Sequence, residues 1–143
     1  MKISNLLTIA LLRARECLVT EFRPLLARHN FTEQQWRVLR ILIEEKSLDA
    51  TALSERSCIL APSLTRIIRN LESRGLLQKE VSQTDARKLV LKPTRQALDV
   101  NKVVTPEINK VFKGIEKRFG AEKTEKLLDM LQDLCDSNKP AGM

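Results

Sequence analysis

The sequence predicts a mainly α-helical protein with one small β-hairpin between its fourth and fifth helices. Apolar residues recur at three- and four-residue spacing over most of the 143 residues, which is the helical period. Only four glycines and five prolines are present, too few for a protein built on many tight turns. One polar segment, residues 82–87, separates two short runs of strand-forming residues. We expect a single domain over residues 1–143, long enough to bury a substantial core.

The second helix has the clearest start in the sequence. Thr32 and Gln35 have the spacing of a capping box, and Phe31 and Trp36 have that of a hydrophobic staple. We expect this helix to end near residue 45 or 46. Two arginines are expected to turn outward from it: Arg37 and Arg40.

The middle of the chain predicts two shorter helices and then the hairpin. Asp49 is a suitable N-cap for a third helix that ends near residue 57, and Pro62 suits the first position of a fourth. Gly75 is a good residue to end that fourth helix. Strands are predicted over residues 76–81 and 88–92, with the polar segment between them as the hairpin tip.

Two further helices are predicted after the hairpin. Thr94 caps a long helix in which Pro106 is expected to cause a break. Gly120 ends this helix, and residues 121–136 form a last helix whose apolar side chains are expected to face inward. These side chains are Leu127, Leu128, Leu131, Leu134 and Cys135. The tail, residues 137–143, is expected to fray.

Composition excludes most enzyme classes and favours a polyanionic partner. The formal net charge is +7, and the chain has one histidine, one tryptophan and no tyrosine. It contains no glycine-rich phosphate loop, nucleophile elbow or metal-ligand cluster, so we expect no catalysis, cofactor or metal. The three scattered cysteines indicate reduced thiols, and the apolar residues 6–12 are too short to span a membrane. We expect a cytoplasmic protein with a nucleic acid or anionic surface as its partner.

Residues 49–92 have the order helix, turn, helix, hairpin, which is the layout of a winged helix-turn-helix. On its second helix one face is apolar: Leu64, Ile67, Ile68 and Leu71. The remaining surface carries hydroxyl, amide and guanidinium groups that fit a DNA major groove, where arginine can bind guanine bidentately. The candidate DNA-binding residues of this helix are Ser63, Thr65, Arg66, Arg69 and Asn70.

Positive charge is concentrated in the same segment. Residues 61–93 hold seven basic and three acidic residues, a net +4, whereas residues 94–143 hold nine basic and eight acidic residues, a net +1. A solvated charged surface would also explain two isolated arginines. The order of turn, helix, glycine and basic hairpin is more specific and favours DNA binding.

The sequence resembles the MarR family of winged-helix transcription regulators. The resemblance rests on residues 49–56 and 63–77, and on an Asp-x-Arg motif at Asp85 and Arg87 that is followed by a strand and Thr94. Within the family, residues 31–40 and 58–66 are similar to the regulators of homoprotocatechuate degradation. This similarity implies repression of an aromatic-acid catabolic operon.

The hairpin is the candidate wing. The resemblance implies that Asp85 pairs with an arginine to fix the tip, and that Arg87 inserts into a narrow, A·T-rich minor groove. Lys88 stands where the family often has a second basic residue, and it keeps the charge without the planar guanidinium. The alternative interpretation is an ordinary polar turn.

The terminal helices predict a dimer. Residues 3–28 form the first helix, which Pro24 is expected to kink or interrupt, and together with residues 108–136 they present more apolar surface than a small winged lobe can cover. The resemblance implies a homodimer in which helices at about 3–30 and 94–138 interlock beside winged lobes at about 32–93. A twofold dimer requires a palindromic operator, with half-sites about 10 bp apart.

An effector site is implied only by the resemblance, because the family binds aromatic carboxylates between the dimerisation helices and the winged lobe. The candidate ligand-binding residues are Arg15, His29, Trp36 and Arg40. An arginine would pair with the carboxylate, and the tryptophan would contact the ring. Alternatively, Trp36 is only the staple residue and His29 only interacts with carbonyls at a helix end. Oxidation sensing by Cys17 or Cys58 is a weaker alternative.

Three other function classes compete with a ligand-responsive regulator. An architectural DNA-binding protein would bind without operator preference and without a small-molecule effector. A winged helix that binds only proteins is disfavoured by the +4 segment, and an enzyme by the missing catalytic motifs. The sequence leaves open the operon, the effector and the direction of regulation.

Overall fold

The computed structural model describes residues 3–139, with side chains from Leu6 onward, and this part of the chain contains six helices and a two-stranded sheet. The predicted fold class and order of elements are confirmed. The elements are α1 (Ile3–Arg28), α2 (Glu33–Glu45), α3 (Ala50–Ser57), α4 (Ala61–Ser73), β1 (Leu77–Val81), β2 (Leu89–Pro93), α5 (Arg95–Phe119) and α6 (Ala121–Ser137). Of the tail that was expected to fray, residues 140–143 lie outside the described residues.

The starts predicted for α2 and α3 are confirmed by hydrogen bonds, whereas α4 begins at Ala61, one residue before the predicted Pro62. The Thr32 hydroxyl accepts from the Gln35 N–H over 3.1 Å, and the Gln35 side chain accepts from the Thr32 N–H over 3.0 Å. The rings of Phe31 and Trp36 meet edge to face with centroids 5.2 Å apart, which completes the hydrophobic staple. The Asp49 carboxylate caps α3 by accepting from the Ala52 N–H over 2.8 Å.

The predicted glycine stop after α4 is also confirmed. Gly75 has a φ of +74°, in the left-handed region that favours glycine. The N–H of Leu76 donates to the carbonyl of Leu71 over 2.9 Å, which is the bond pattern of a glycine-terminated helix. A Cβ at Gly75 would lie 3.0 Å from the Gln96 side-chain oxygen. This stop turns the chain sharply into β1.

The hairpin is anchored in the core at its base. Strands β1 and β2 are antiparallel, with Leu77 opposite Pro93 and Val81 opposite Leu89. Leu48, between α2 and α3, exchanges two backbone hydrogen bonds with Leu91, at 3.1 and 2.7 Å. The base of the hairpin is therefore tied to the helical part of the lobe.

The lobe has a continuous apolar core. Its fully buried side chains come from α2, α3 and α4 and pack between these helices and the hairpin. Burial of such side chains is the main favourable term in folding, at about 1.5–3 kcal/mol for each fully buried Leu, Ile or Val. The core residues of these three helices are Trp36, Val38, Leu39, Leu42, Leu53, Leu64, Ile67, Ile68 and Leu71.

The chain forms two compact units, one up to Glu107 and one from Ile108 onward. The first contains α1, the winged lobe and the first half of α5. The second contains the end of α5 and α6, and its exposed apolar side chains include Phe112, Phe119 and Leu128.

Neither Pro24 nor Pro106 ends its helix. Helices α1 and α5 each continue through the proline, so an interruption at Pro24 and a break at Pro106 are wrong, while a kink at either proline stays an expectation. A helix can keep a proline at the loss of one backbone bond when packing holds its neighbours, and Leu25, Leu26 and Val104 are buried beside them.

The apolar side chains of α6 do not form a buried core in the single chain. Leu127, Leu128 and Cys135 are exposed, and Leu131 and Leu134 are half-buried. The expectation that they face inward is therefore wrong for this chain alone. Within residues 3–139, no helix combines the length and the apolar character needed to cross a bilayer.

Candidate nucleic-acid interface

Helix α4 separates apolar and polar side chains as the sequence predicted. Leu64, Ile67, Ile68 and Leu71 are buried against the lobe. The five candidate DNA-binding residues of this helix are all exposed: Ser63, Thr65, Arg66, Arg69 and Asn70. The arrangement leaves one polar face of α4 open to a partner.

Among the described residues, the two arginines of that face form no contacts that would compete with a ligand. Neither Arg66 nor Arg69 has a hydrogen-bond or ion-pair partner among the described residues. By contrast, the Thr65 hydroxyl donates to the Ala61 carbonyl over 2.9 Å, and the Asn70 side-chain oxygen is 3.4 Å from the Arg74 guanidinium. The guanidinium donors of Arg66 and Arg69 are therefore free to bind phosphate or base edges.

The turn that leads into α4 is held by Arg37. Its guanidinium donates to the Ser57 carbonyl over 2.7 Å and binds both carboxylate oxygens of Glu33, at 2.6 and 3.0 Å. The next residue, Cys58, has a φ of +56°. Arg37 is half-buried, so the expectation that it turns outward is wrong, because the buried end of α3 offers it a carbonyl. The i,i+4 spacing of Glu33 and Arg37 was the only signal of this contact in the sequence.

Glu33 also connects α2 to α1. Its carboxylate accepts from the Arg15 guanidinium over 3.0 Å. Burial of the Glu33 carboxyl acts to raise its pKa, but the hydrogen bonds and charges of Arg37 and Arg15 outweigh burial and hold the pKa below its ordinary value of 4.5. Sequence reasoning missed Glu33 because its second partner is distant along the chain.

The wing tip is fixed by hydrogen bonds from the backbone N–H groups of Arg87 and Lys88 to Asp85. An oxygen of the Asp85 carboxylate accepts from the Arg87 N–H over 3.0 Å, and the Arg87 guanidinium lies 3.9 Å from the same oxygen. The Lys88 N–H donates to the Asp85 carbonyl over 3.1 Å. The Arg87 side chain is 95% exposed, so the turn presents it to solvent rather than to the lobe.

Other basic residues of residues 61–93 are partly neutralised. Lys92 lies 2.8 Å from the Glu80 carboxylate, and Lys79 lies 3.7 Å from that of Glu72. The Arg74 guanidinium lies over the Phe31 ring, 4.5 Å from its centroid. Among the described residues of this segment, Arg66, Arg69 and Lys88 therefore have no carboxylate partner, and the exposed Arg87 has only the 3.9 Å contact with Asp85.

The four candidate ligand-binding residues have different surroundings. Trp36 is buried in the staple, and Arg15 is paired with Glu33. His29 lies on the Glu107 carboxylate, with its Nε2 at 3.2 Å. Arg40 donates to the Asn101 side-chain oxygen over 3.1 Å and lies 3.4 Å from the Thr105 hydroxyl. Arg40 is half-buried by these contacts with α5, so the expectation that it turns outward is wrong.

A cavity of about 370 Å³ lies between the connection from α1 to α2, the turn from α4 to β1 and the first half of α5. His29, Phe31, Arg74 and Leu76 line one side of it. Of the four candidate ligand-binding residues, only His29 lines this cavity. No group of three or more His, Cys, Asp or Glu side chains in the described part of the chain is placed to hold a metal ion. The three cysteines are exposed.

Comparison with known proteins gives consistent matches. Residues 31–89 match the MarR family. The chain is 42% identical over 127 residues to the homoprotocatechuate degradative operon repressor of Escherichia coli, covering 89% of this chain and 86% of that protein. It is 39% identical over 129 residues to the HTH-type transcriptional regulator FarR of Neisseria gonorrhoeae, covering 90% and 88%.

A solved structure is similar over the same length. The crystal structure of NadR in complex with 4-hydroxyphenylacetate superposes with a TM-score of 0.83 and 37% identity, covering 91% of this chain and 95% of that one. The similarity therefore includes the terminal helices as well as the winged lobe.

Proposed function

This chain belongs to the MarR family of transcription regulators, and we propose that it represses an aromatic-acid catabolic operon until an aromatic carboxylate releases it from DNA. In this function it needs no catalysis, cofactor or metal, and it acts in the cytoplasm. The name of its Escherichia coli relative supports the kind of operon, and the ligand of NadR supports the kind of effector.

One observation carries the DNA-binding part of the proposal. Arg66 and Arg69 stand exposed on α4 with no partner among the described residues, and Arg87 stands exposed at the wing tip. In the proposed complex α4 enters the major groove, where the two arginines bind phosphates or guanine edges. The wing places Arg87 in the adjacent minor groove, with Asp85 holding the turn.

The proposed assembly is a homodimer on a palindromic operator. Large apolar side chains are exposed on α1 and α6, including Leu12 at 60% and Leu128 at 62%. Contiguous exposed apolar surface is typical of an interface between chains. Two lobes related by a twofold axis read two half-sites about one helical turn, ~10 bp, apart.

The effector carboxylate is proposed to bind Arg40. Its partners are the neutral oxygens of Asn101 and Thr105, so the charge of this half-buried guanidinium is not matched by a carboxylate among the described residues. Trp36 lies one turn before it on α2 and is the aromatic candidate for contact with the ring. Arg15 and His29 already contact Glu33 and Glu107, so a ligand would have to compete with these carboxylates.

The test is a selection of bound duplexes from random DNA, repeated with 4-hydroxyphenylacetate and related aromatic acids. We expect a palindromic consensus whose binding is weakened by at least one of these acids. Binding without any sequence preference would instead identify an architectural DNA-binding protein. If the protein binds the selected consensus equally well with and without each aromatic acid, the proposed effector is contradicted, but the proposed operator binding is not.

A further inference from the structure

Leu60 is the most exposed of the large hydrophobic side chains that the structure describes, at 80%. It lies directly before α4, at the N-cap position of that helix. The other strongly exposed apolar side chains lie on the long helices α1, α5 and α6 or at the end of the hairpin strands. Leu60 is therefore an exposed leucine at the start of the helix whose exposed residues include Ser63 and Arg66.

The N-cap position normally carries a polar side chain, and the other two helices of the lobe follow this rule. Thr32 caps α2 by accepting from the Gln35 N–H, and Asp49 caps α3 by accepting from the Ala52 N–H. In α4 no side chain forms a cap hydrogen bond. With leucine at residue 60, α4 thus lacks the stabilisation that serine, threonine or aspartate supplies at this position.

The residues that follow Leu60 are exposed and have small or compact side chains. Residues 60–63 are all exposed, and the side chains after Leu60 in this turn are small or compact: Ala61, Pro62 and Ser63. The N-terminal residues of a recognition helix are those that approach base edges in the major groove. An aliphatic side chain there cannot hydrogen-bond to a base, but it can contact the methyl group of thymine.

We propose that Leu60 contacts the 5-methyl group of a thymine in the major groove and so contributes to operator choice. This inference rests on the proposed function, since it requires α4 to read the groove. Thymine is the only unmodified DNA base with a methyl group on this edge, so the contact distinguishes T·A from the other pairs. Burying the exposed leucine against that methyl group is favourable because both surfaces leave water.

The test uses the preferred duplex from the selection described above, with each thymine replaced in turn by deoxyuridine, which lacks only the methyl group. For the wild-type chain, replacing the thymine at one position of each half-site by deoxyuridine should lower affinity by about fourfold. This is the effect of burying one methyl-sized group. The Leu60→Ala variant should bind the thymine and deoxyuridine duplexes equally at that position. Leu89→Ala, which shortens an exposed leucine on the hairpin, should keep the wild-type difference.

A second variant separates base reading from a structural role. Leu60→Ser supplies an N-cap hydroxyl within reach of the Ser63 N–H, so it should raise the melting temperature of the protein while abolishing the difference between thymine and deoxyuridine. A purely structural residue would not raise stability and lower base discrimination together.

The experiment tests the role of Leu60 and the proposed sequence-specific binding separately. A consensus without thymine, equal binding of all deoxyuridine duplexes by the wild-type chain, or an unchanged difference in Leu60→Ala would each overturn the role of Leu60. Failure to select any preferred duplex would overturn the proposed sequence-specific function itself, and the role of Leu60 with it.

Discussion

Arginine side chains in this protein differ in what neutralises them, and this difference separates their roles. Arg37 and Arg15 are bound to the Glu33 carboxylate, and Arg37 holds the end of α3. Arg66 and Arg69 have no partner among residues 3–139. Arg40 has only neutral partners there. The first group has a structural role, and the others are the residues proposed to bind anions.

The first prediction concerns the free arginines of α4. Arg66→Ala and Arg69→Ala should weaken operator binding, by about 1–3 kcal/mol for the one that binds a base bidentately. Fluorescence anisotropy at fixed salt measures the change. Arg23→Ala removes the same charge from α1, where Arg23 is paired with Glu16, and should have a smaller effect. Unchanged operator affinity in both α4 variants would exclude α4 as the recognition helix.

The second prediction concerns the wing tip. Arg87→Ala should lower affinity and reduce the preference for A·T-rich flanking sequence, because a narrow minor groove concentrates negative potential. Arg87→Lys keeps the charge and should restore part of the affinity without the full flank preference. Footprinting on operators with A·T-rich and G·C-rich flanks compares the three proteins. Identical footprints and affinities would make Arg87 an ordinary turn residue.

The third prediction concerns the effector. Arg40→Gln keeps a donor toward Asn101 and Thr105 but loses the charge, so it should weaken binding of 4-hydroxyphenylacetate in calorimetric titration. Arg15→Gln should have a smaller effect, because the Arg15 charge is already matched by Glu33. Equal ligand affinity in wild type and Arg40→Gln would remove Arg40 from the site.

At the scale of the helices, Glu33 joins three elements. It lies in the first turn of α2, accepts from Arg15 on α1, and holds Arg37 against the carbonyl end of α3. The turn from α3 to α4 follows immediately, so this ion cluster fixes the start of α4 relative to α2.

The fourth prediction follows from the lowered pKa of Glu33. Its stabilising effect is fully present above the unfolded-state pKa, near 4.5, and is lost as pH falls through the lower folded-state pKa. Glu33→Gln should therefore be less stable than wild type at neutral pH, and the difference should shrink as pH falls below about 4.5. Urea unfolding midpoints from pH 7 to pH 3 measure it. A difference that stays constant over this range would show that Glu33 does not act through its charge.

At the scale of the whole molecule, large apolar side chains are exposed on α1 and α6, which is typical of an interface between chains. The fifth prediction is that Leu128→Glu weakens the dimer at least tenfold, about 1.4 kcal/mol, because it would bury an unpaired charge in the interface. Gln132→Glu adds the same charge at an exposed polar position of α6 and is the control. Sedimentation equilibrium measures both, and an unchanged dimer in Leu128→Glu would exclude this part of α6 from the interface.

Coupling between effector binding and DNA binding is also a property of the whole molecule. A ligand that binds the free and the DNA-bound protein with equal affinity does not change the affinity of the protein for DNA. A typical coupling of about 1–3 kcal/mol changes DNA affinity roughly 5- to 150-fold. By linkage, operator DNA must weaken effector binding by the same factor, which titrations with and without operator can compare directly.

The sequence by itself determined the features that depend on neighbouring residues. The capping box at Thr32, the glycine stop at Gly75, the apolar face of α4 and the order of all elements were predicted correctly. Each depends on residues within one or two helical turns, so the pattern of residue types is sufficient. The chain is not interrupted at Pro24 or Pro106, because burial of neighbouring side chains outweighs the lost backbone bonds.

Only the tertiary structure decided which charged side chains are free. Arg15 and Glu33 are 18 residues apart, Arg37 and the Ser57 carbonyl are 20 apart, and Arg40 and Asn101 are 61 apart. No local pattern specifies such pairs, because they form only when packing of the apolar faces brings distant segments together. The same packing left Arg66, Arg69 and Leu60 exposed, and none of the side chains described in the structure neutralises the two arginines, which is why they are the proposed DNA contacts.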